Sequence, residues 1–254
     1  MKYKAIMMDV DRTLCPQGDM EKAGNPSPKV LAALKKAKKL IRIGVATSRP
    51  IYKTRHILET INANGYSIFL GGPQIAHSRT LKTVWLKPIS KPAKEKIYTV
   101  AKKYKLVALA NDGFCIPAFQ FSRQALSAKL INIFFHHVPF SQFENILKDL
   151  SSINDVAVTR LVTENKQMTE FDITDIKATK HHAMVHVAKL LKIKPQEIIG
   201  VGDGYNDYPL LMACGLKIAM GNAVPELKAI ADFVAPSVDE DGVATVIEKF
   251  ILNQ

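Results

Sequence analysis

The chain has 254 residues, 47% of them hydrophobic and 23% charged, and its 35 Lys and Arg against 23 Asp and Glu give a formal charge of +12. That length allows one large domain or two modest ones with a real core, and the composition excludes a disordered or fibrous chain. No run approaches the roughly 20 apolar residues of a membrane span, and Cys15, Cys115 and Cys214 are too scattered for a disulfide framework or a zinc cluster.

The positive balance favours anionic partners. Many of the lysines read as solvated helix faces, with Lys35, Lys36, Lys38 and Lys39 crowding the negative end of a predicted helix. No dense basic tract with interleaved aromatics is present, so neither nucleic acid nor membrane is an expected partner. Met1 to Val10 holds only a short apolar run that ends in Asp9, unlike a secretory signal, and a cytoplasmic location is expected.

Lys4 to Asp9 reads as a buried strand. Ser27 then reads as an N-cap with Pro28 at the first helical position, and Val30, Leu31, Leu34, Ala37 and Ile41 recur at helical spacing. A strand over Ile41 to Thr47, a helix over Pro50 to Asn62 and a strand over Ser67 to Leu70 follow, and then Gly71-Gly72-Pro73. Strands alternating with helices imply a parallel sheet with right-handed crossovers.

The rhythm then changes. A helix is predicted over Pro92 to Lys103 and strands over Leu106 to Ala110 and Leu130 to Phe135. A helix over Ser141 to Leu150 follows, and Val156 to Thr163 with Gln167 to Thr174 resembles a hairpin around Glu164-Asn165-Lys166. That mixture is an α+β insert with soft edges near Val84 and Asp175. Afterwards Thr179 reads as the cap of a helix carrying Met184, Val187, Ala188 and Leu191. The α/β alternation then continues through Ile198 to Asp203, Pro209 to Cys214, Lys217 to Met220, Pro225 to Ala231, Phe233 to Ala235 and Val243 to Leu252. The expected architecture is α/β, a Rossmann-like parallel-sheet core with an inserted α+β domain, which the family resemblance given below makes a cap. Residues 1–84 and 176–254 would form the core and 85–175 the cap.

Three predicted strands run into polar residues: Asp9, the Thr47-Ser48-Arg49 trio, and Asp203. Ligands of open parallel sheets bind outside the carboxyl ends of the strands, so these three places should lie together. Asp9 and Asp11, two residues apart, can face one cavity but would repel each other and any anion. A divalent cation removes that conflict, and Mg²⁺ takes one or two carboxylates plus phosphate oxygens. Gly202 and Gly204 allow a tight turn around Asp203. Each feature also has a plainer explanation. Asp9 to Thr13 could end in an Asx turn, Asp207 could cap the next helix, Thr47 and Ser48 could be caps, and Lys180 alone reads as a surface lysine.

Taken together, these segments resemble the four motifs of the haloacid dehalogenase-like hydrolases. Asp9-Val10-Asp11-Arg12-Thr13 is similar to the first, Ala46-Thr47-Ser48-Arg49 to the second, Lys180 stands at the third, and Gly202-Asp203-Gly204-Tyr205-Asn206-Asp207 is similar to the fourth. Ala219-Met220-Gly221-Asn222-Ala223 and Asp239-Glu240-Asp241-Gly242-Val243 resemble the Cof-type subgroup, whose members carry a C2-type cap between motifs two and three. Arg12 and Ser48 stand where the family commonly has Gly, and His181 stands where the subgroup often has Gly.

The resemblance implies a Mg²⁺-dependent phosphomonoesterase acting on a small phosphorylated metabolite of sugar phosphate or phosphoglycolate type. Asp9 would be the nucleophile and form an aspartyl-phosphate, and Asp11 the general acid and base. Asp9, the backbone carbonyl of Asp11, and Asp203 would hold the metal. Thr47, Lys180 and Asn206, with the N–H groups of Val10 and Ser48, would hold the phosphoryl oxygens, and Asp207 would orient Lys180 or metal-bound water. Arg12 would bring a further positive charge. A phosphomutase sharing this chemistry and a silent basic binding protein of the same fold stay open.

Outside these motifs, His136-His137 read as the end of a cap strand. His181, His182 and His186 read as ordinary helix histidines, and Cys15 as a packing residue. Phe114, Phe119, Phe121, Phe134 and Phe135 read as cap core, with room for one to line the pocket.

Overall fold

The computed structural model describes residues 2–17, 24–114, 118–161, 163, 165 and 167–253. Cys115 and the expected turn residues Glu164 and Lys166 lie outside them. In chain order the first part holds β1 (Ala5–Met8), α1 (Pro28–Ala37), β2 (Arg42–Val45), α2 (Ile51–Thr60), β3 (Tyr66–Phe69), β4 (Gln74–His77) and β5 (Thr83–Leu86). Next come α3 (Lys91–Lys103), β6 (Val107–Asn111), β7 (Phe119–Gln120), β8 (Asn132–Pro139), α4 (Phe143–Ser151), β9 (Val156–Leu161) and β10 (Met168–Asp175). The last part holds α5 (Lys180–Leu191), β11 (Ile198–Gly202), α6 (Tyr208–Met212), β12 (Leu216–Ala219), α7 (Pro225–Ala229), β13 (Phe233–Val234) and α8 (Gly242–Ile247).

The core sheet runs β13-β12-β11-β1-β2, all parallel. β1 is central because its four residues are apolar on both faces. Ile6 and Met8 enter a cluster with Leu34 of α1 and Val243 of α8, while Ala5 and Met7 enter one with Met184 and Val187 of α5. β3 joins the open side of β2, where the Thr47 amide donates to the Ile68 carbonyl at 3.0 Å.

β4 and β5 are strands beyond those expected from the sequence. They form an antiparallel three-stranded sheet with β3, and β5 straddles the expected edge at residue 84. Their four-residue runs are too short to carry a periodic signal. Ser27 caps α1 as expected, accepting from the Val30 amide at 3.1 Å. Thr179 sits at the N-cap of α5 but its hydroxyl pairs with His182 Nδ1 at 2.9 Å instead of closing the helix.

The antiparallel sheet runs β7-β6-β8-β10-β9. One face is apolar and packs under α3 and α4. Every residue of that buried cluster falls between Ile89 and Ile173. Alternation puts Ile133 and Phe135 of β8 and Phe171 and Ile173 of β10 in this cluster. The other face therefore presents Asn132, Phe134 and His136 of β8 with Glu170 and Asp172 of β10, and it looks onto the carboxyl ends of the core strands across a cavity of ≈ 500 Å³. Phe121 and Phe135 are buried and Phe119 packs partly buried against the same cluster, as expected. Phe134 is the one for which pocket lining was left room, and Phe114 is exposed instead. Nor do His136 and His137 end their strand. They lie inside β8 and line the cavity. No described helix is long and apolar enough to cross a membrane.

Candidate active site

β11, β1 and β2 are neighbours, so the residues that follow them are brought to one edge. Asp9, Thr47 and Asp203 are each at most 5% exposed, and all three line the cavity. The loop after β1 folds back on itself, with the Val10 carbonyl accepting from the Leu14 and Cys15 amides at 3.0 and 3.1 Å. Cys15 is buried in the core cluster, a packing role. Arg12 takes φ +62, the left-handed region that side chains occupy at a cost of about 1–2 kcal/mol and glycine occupies freely. Its guanidinium lies 3.5 Å from Asp203 Oδ2, and its carbonyl accepts from Asn222 Nδ2 at 2.8 Å.

Lys180, fully buried at the start of α5, joins two of the acids. Its Nζ donates to Asp9 Oδ1 at 2.8 Å and to Asp207 Oδ1 at 2.7 Å. Asp207 Oδ2 accepts from the Asp203 and Gly204 amides at 2.9 and 3.0 Å. Asp207 precedes α6 but does not cap it, because both its oxygens are spent on Lys180 and on the loop that presents Asp203. Gly202 permits this approach. A Cβ there would lie 2.4 Å from the Cβ of Asp207. Asp203 Oδ1 accepts from the Thr13 hydroxyl at 2.9 Å.

Thr47 Oγ1 accepts from the Arg49 amide at 3.1 Å, and Ser48 Oγ accepts from Asn206 Nδ2 at 3.4 Å. The second and fourth motifs thus meet. Asp11 also lines the cavity, and Arg49 grips it from two nitrogens, Nε at 2.6 Å and Nη2 at 2.9 Å. Arg49 belongs to the second motif, and the motif resemblance assigns it no role.

Burial pushes the Asp9 carboxyl well above the usual range, Lys180 pulls it down, and Asp207 and Asp203 push it up again. Burial and the repulsion of Asp207 raise Asp203 to about 7, against the pull of Thr13, Arg12 and Lys180. Burial alone would lower the Lys180 ammonium, but Asp207 and Asp9 outweigh it and hold its pKa above the ordinary value. Ligand atoms of Asp9, Asp203 and Asp207 lie within 4.8 Å of one another, three buried carboxylates around one buried ammonium. This all-oxygen set suits a hard divalent cation, which would relieve the repulsion that raises Asp9 and Asp203. Asp207 is the least available of the three, since its oxygens are already engaged.

On the far wall a buried amide ladder was not foreseen. Asn111 Nδ2 donates to Asn132 Oδ1, and Asn132 Nδ2 donates to Asp172 Oδ1, both at 3.0 Å. Asp172 Oδ2 is buried without a hydrogen bond. Burial raises the Asp172 carboxyl, while Ser48 and Asn132 pull it down. Glu170 Oε1 lies 2.6 Å from His136 Nδ1, and burial and Asp172 raise Glu170 to about 7. The available signal was polar residues at even spacing with apolar ones between them, Asn132 and His136 around Ile133-Phe134-Phe135, and Glu170 and Asp172 around Phe171. His182 and His186 belong to no metal-competent cluster among the described residues, and His186 lies against the Trp85 ring at 4.7 Å.

A parallel α/β sheet with an acidic, cation-suited centre at its carboxyl ends, faced by a second sheet across a cavity, defines the class of scaffold. The chain belongs to the haloacid dehalogenase-like hydrolases, and the family's model matches residues 6–118 and 116–247. Within that family it is of the Cof type. The phosphatase YwpJ of Bacillus subtilis is 31% identical over 195 residues, 73% of this chain and 65% of the relative. The phosphoglycolate phosphatase of Methanopyrus kandleri is 29% identical over 117 residues, 46% of this chain and 48% of the relative. The chain thus spans just under two thirds of the first relative and about half of the second. A haloacid dehalogenase-like hydrolase from B. subtilis superposes with a TM-score of 0.83 at 22% identity, over 97% of this chain and 99% of that one, a likeness of fold.

Proposed function

We propose that the chain is a Mg²⁺-dependent phosphomonoesterase that hydrolyses a small phosphorylated metabolite through a phosphoryl group carried by Asp9. The observation that carries this is the buried cluster of Asp9, Asp203 and Asp207 on Lys180 at the floor of the cavity. Asp9 and Asp203, with the Asp11 carbonyl, would hold Mg²⁺, which supplies positive charge against the phosphate oxygens. Asp207 keeps Lys180 charged and fixes the Asp203 loop.

Asp9 attacks phosphorus in line, and the bond from phosphorus to the ester oxygen breaks. Asp11 gives its proton to the leaving oxygen. It then takes a proton from the water that attacks phosphorus, and the bond to Asp9 breaks as phosphate forms. For this Asp11 must leave Arg49, whose guanidinium then turns to a phosphoryl oxygen. Thr47, Ser48, Asn206 and Lys180 surround the phosphoryl site, where donors fixed in advance stabilise the spread charge.

We assign residues 1–84 and 176–254 to the core and 85–175 to the cap. The separate buried cluster between Ile89 and Ile173 supports that division. The cap closes over the leaving group and excludes bulk water. Free Cys15 and Cys214 fit the reducing cytoplasm, where such a substrate is found.

The test is phosphate release from p-nitrophenyl phosphate and a metabolite panel, with and without Mg²⁺, for wild type and Asp9→Asn. Mg²⁺-dependent release falling by at least about a thousandfold in Asp9→Asn is expected. Release that survives Asp9→Asn would discard the covalent route.

A further inference from the structure

Arg12 joins a firmly held backbone to a loosely held charge. Its amide donates to the Cys15 carbonyl at 2.8 Å, and its carbonyl accepts from Asn222 Nδ2 at 2.8 Å. Asn222 Oδ1 accepts in turn from the Val238 amide at 2.9 Å, which ties the loop after β1 to the loops after β12 and before α8. The side chain on this mount has only long contacts. Nη2 lies 3.4 Å from the Asn222 carbonyl, Nε lies 3.5 Å from Asp203 Oδ2, and 32% of the side chain is exposed. Arg49 holds Asp11 far more closely, at 2.6 and 2.9 Å. The contact of Arg12 with Asp203 is therefore an attraction of charges without a fixed hydrogen bond. The left-handed backbone also costs arginine what glycine is spared, so the loop by itself gives no reason for this side chain.

Asp203 is the fixed member of the pair. It is 4% exposed, and its Oδ1 is held by the Thr13 hydroxyl at 2.9 Å. Its ligand atom lies within 4.8 Å of that of Asp9, in the group that suits a divalent cation. Arg12 lines the same cavity as Asp9, Thr47 and Asn206. We propose that Arg12 is a transferable counter-charge, which partners Asp203 in the free chain and passes to the phosphoryl oxygens when metal and phosphate bind, so that each ligand strengthens the binding of the other; this role rests on the phosphomonoesterase reading of the site. A divalent ion alone must share Asp203 with the guanidinium or displace it, and like charges so close repel. Phosphate alone meets a guanidinium still drawn to Asp203. With both present every charge has a partner, because the fork of donors on Arg12 matches phosphate oxygens and Asp203 is released to the metal. Rotation about the side-chain torsions of Arg12 makes the transfer without moving its backbone.

Calorimetric titration of Mg²⁺ into the full chain, with and without inorganic phosphate, measures the coupling. In Arg12→Gly, Mg²⁺ alone should bind about tenfold tighter than in wild type, and the gain from added phosphate should be about tenfold smaller. Titrating phosphate with and without Mg²⁺ must return the same coupling factor. Arg12→Asn, neutral and tolerant of a positive φ, should match Arg12→Gly, and Arg12→Lys should stay near wild type. Agreement of the two neutral variants separates the charge from the freedom of the loop. Phosphate release from p-nitrophenyl phosphate is followed in the same four proteins. Coupling that depends on Arg12 in a chain without turnover would remove the phosphatase assignment and keep the counter-charge. Turnover with equal coupling in all four proteins would overturn the counter-charge and keep the phosphatase. Mg²⁺ bound more weakly by Arg12→Gly than by wild type, or by none of the four, would also overturn it.

Discussion

On the core wall of the cavity each carboxylate has a cationic or hydroxyl partner inside the protein, whereas on the cap wall Asp172 is held by the neutral amide of Asn132 with Ser48 beside it. Lys180 serves Asp9 and Asp207, Thr13 and Arg12 serve Asp203, and Arg49 serves Asp11. The walls differ because they are built differently. The core wall is made of loops at the ends of parallel strands, and such loops turn side chains and backbone amides toward one another. The cap wall is the flat face of an antiparallel sheet, whose side chains stand parallel and meet mainly what lies opposite. The core wall is thus held together by ion pairs, and the cap wall by a ladder of neutral amides ending on Asp172.

Lys180→Met gives the largest effect. Two buried carboxylates would lose their shared cation, and stability should fall by about 3–5 kcal/mol in chemical denaturation. The loss should deepen as pH rises, since the stranded acids are tolerated best when protonated. A loss below about 1 kcal/mol would show that the core wall does not depend on internal pairing. Magnesium comes next. At a concentration about a hundredfold above Kd it should raise the melting temperature by roughly 5–10 °C, and Asp203→Asn should remove the rise.

The seam between the walls is the third place to probe. Arg160 of β9 stacks its guanidinium on Phe140, Phe143 and, across the seam, Tyr205, at 5.1–5.2 Å from each ring centre. Arg160→Ala should cost about 1–2 kcal/mol and speed amide exchange in residues 205–207. Tyr205→Phe should keep most of that contact and Tyr205→Ala should lose it.

The smallest effect concerns Glu170 on the cap wall. Burial, and after it the repulsion of Asp172, raises its carboxyl from an ordinary 4.5 to about 7 in the fold, against the pull of His137. The folded chain therefore binds this proton more tightly than the unfolded chain, and the group loses stability as pH rises through that window. In Glu170→Gln the drop in melting temperature between about pH 5 and about pH 7.5 should be smaller than in wild type. An unchanged drop would show that this wall is not under charge strain.

Much of the core wall was legible in the amino-acid sequence. Asp9, Thr47 and Asp203 interrupt apolar strands, and such interruptions are conspicuous because a core strand tolerates no unpaired charge. Lys180 was legible only through the motif resemblance, since by itself it passes for a surface lysine. Its burial against Asp9, 171 positions away, depends on the packing of α5 behind β1.

The cap wall was far less legible. His136 and His137 read as the end of a strand because two polar residues after an apolar run look like its edge. The pairing of β8 with β10 carries the strand on to Pro139 and turns His136 into the cavity. Asp172 and Asn132 read as unremarkable strand residues for the same reason. Sequence alone determined the α/β alternation and the acids at the strand ends, since period and composition are local properties. Tertiary structure alone decided the Arg49 grip on Asp11 and the amide ladder that ends on Asp172, because each depends on which residues from distant segments come into contact.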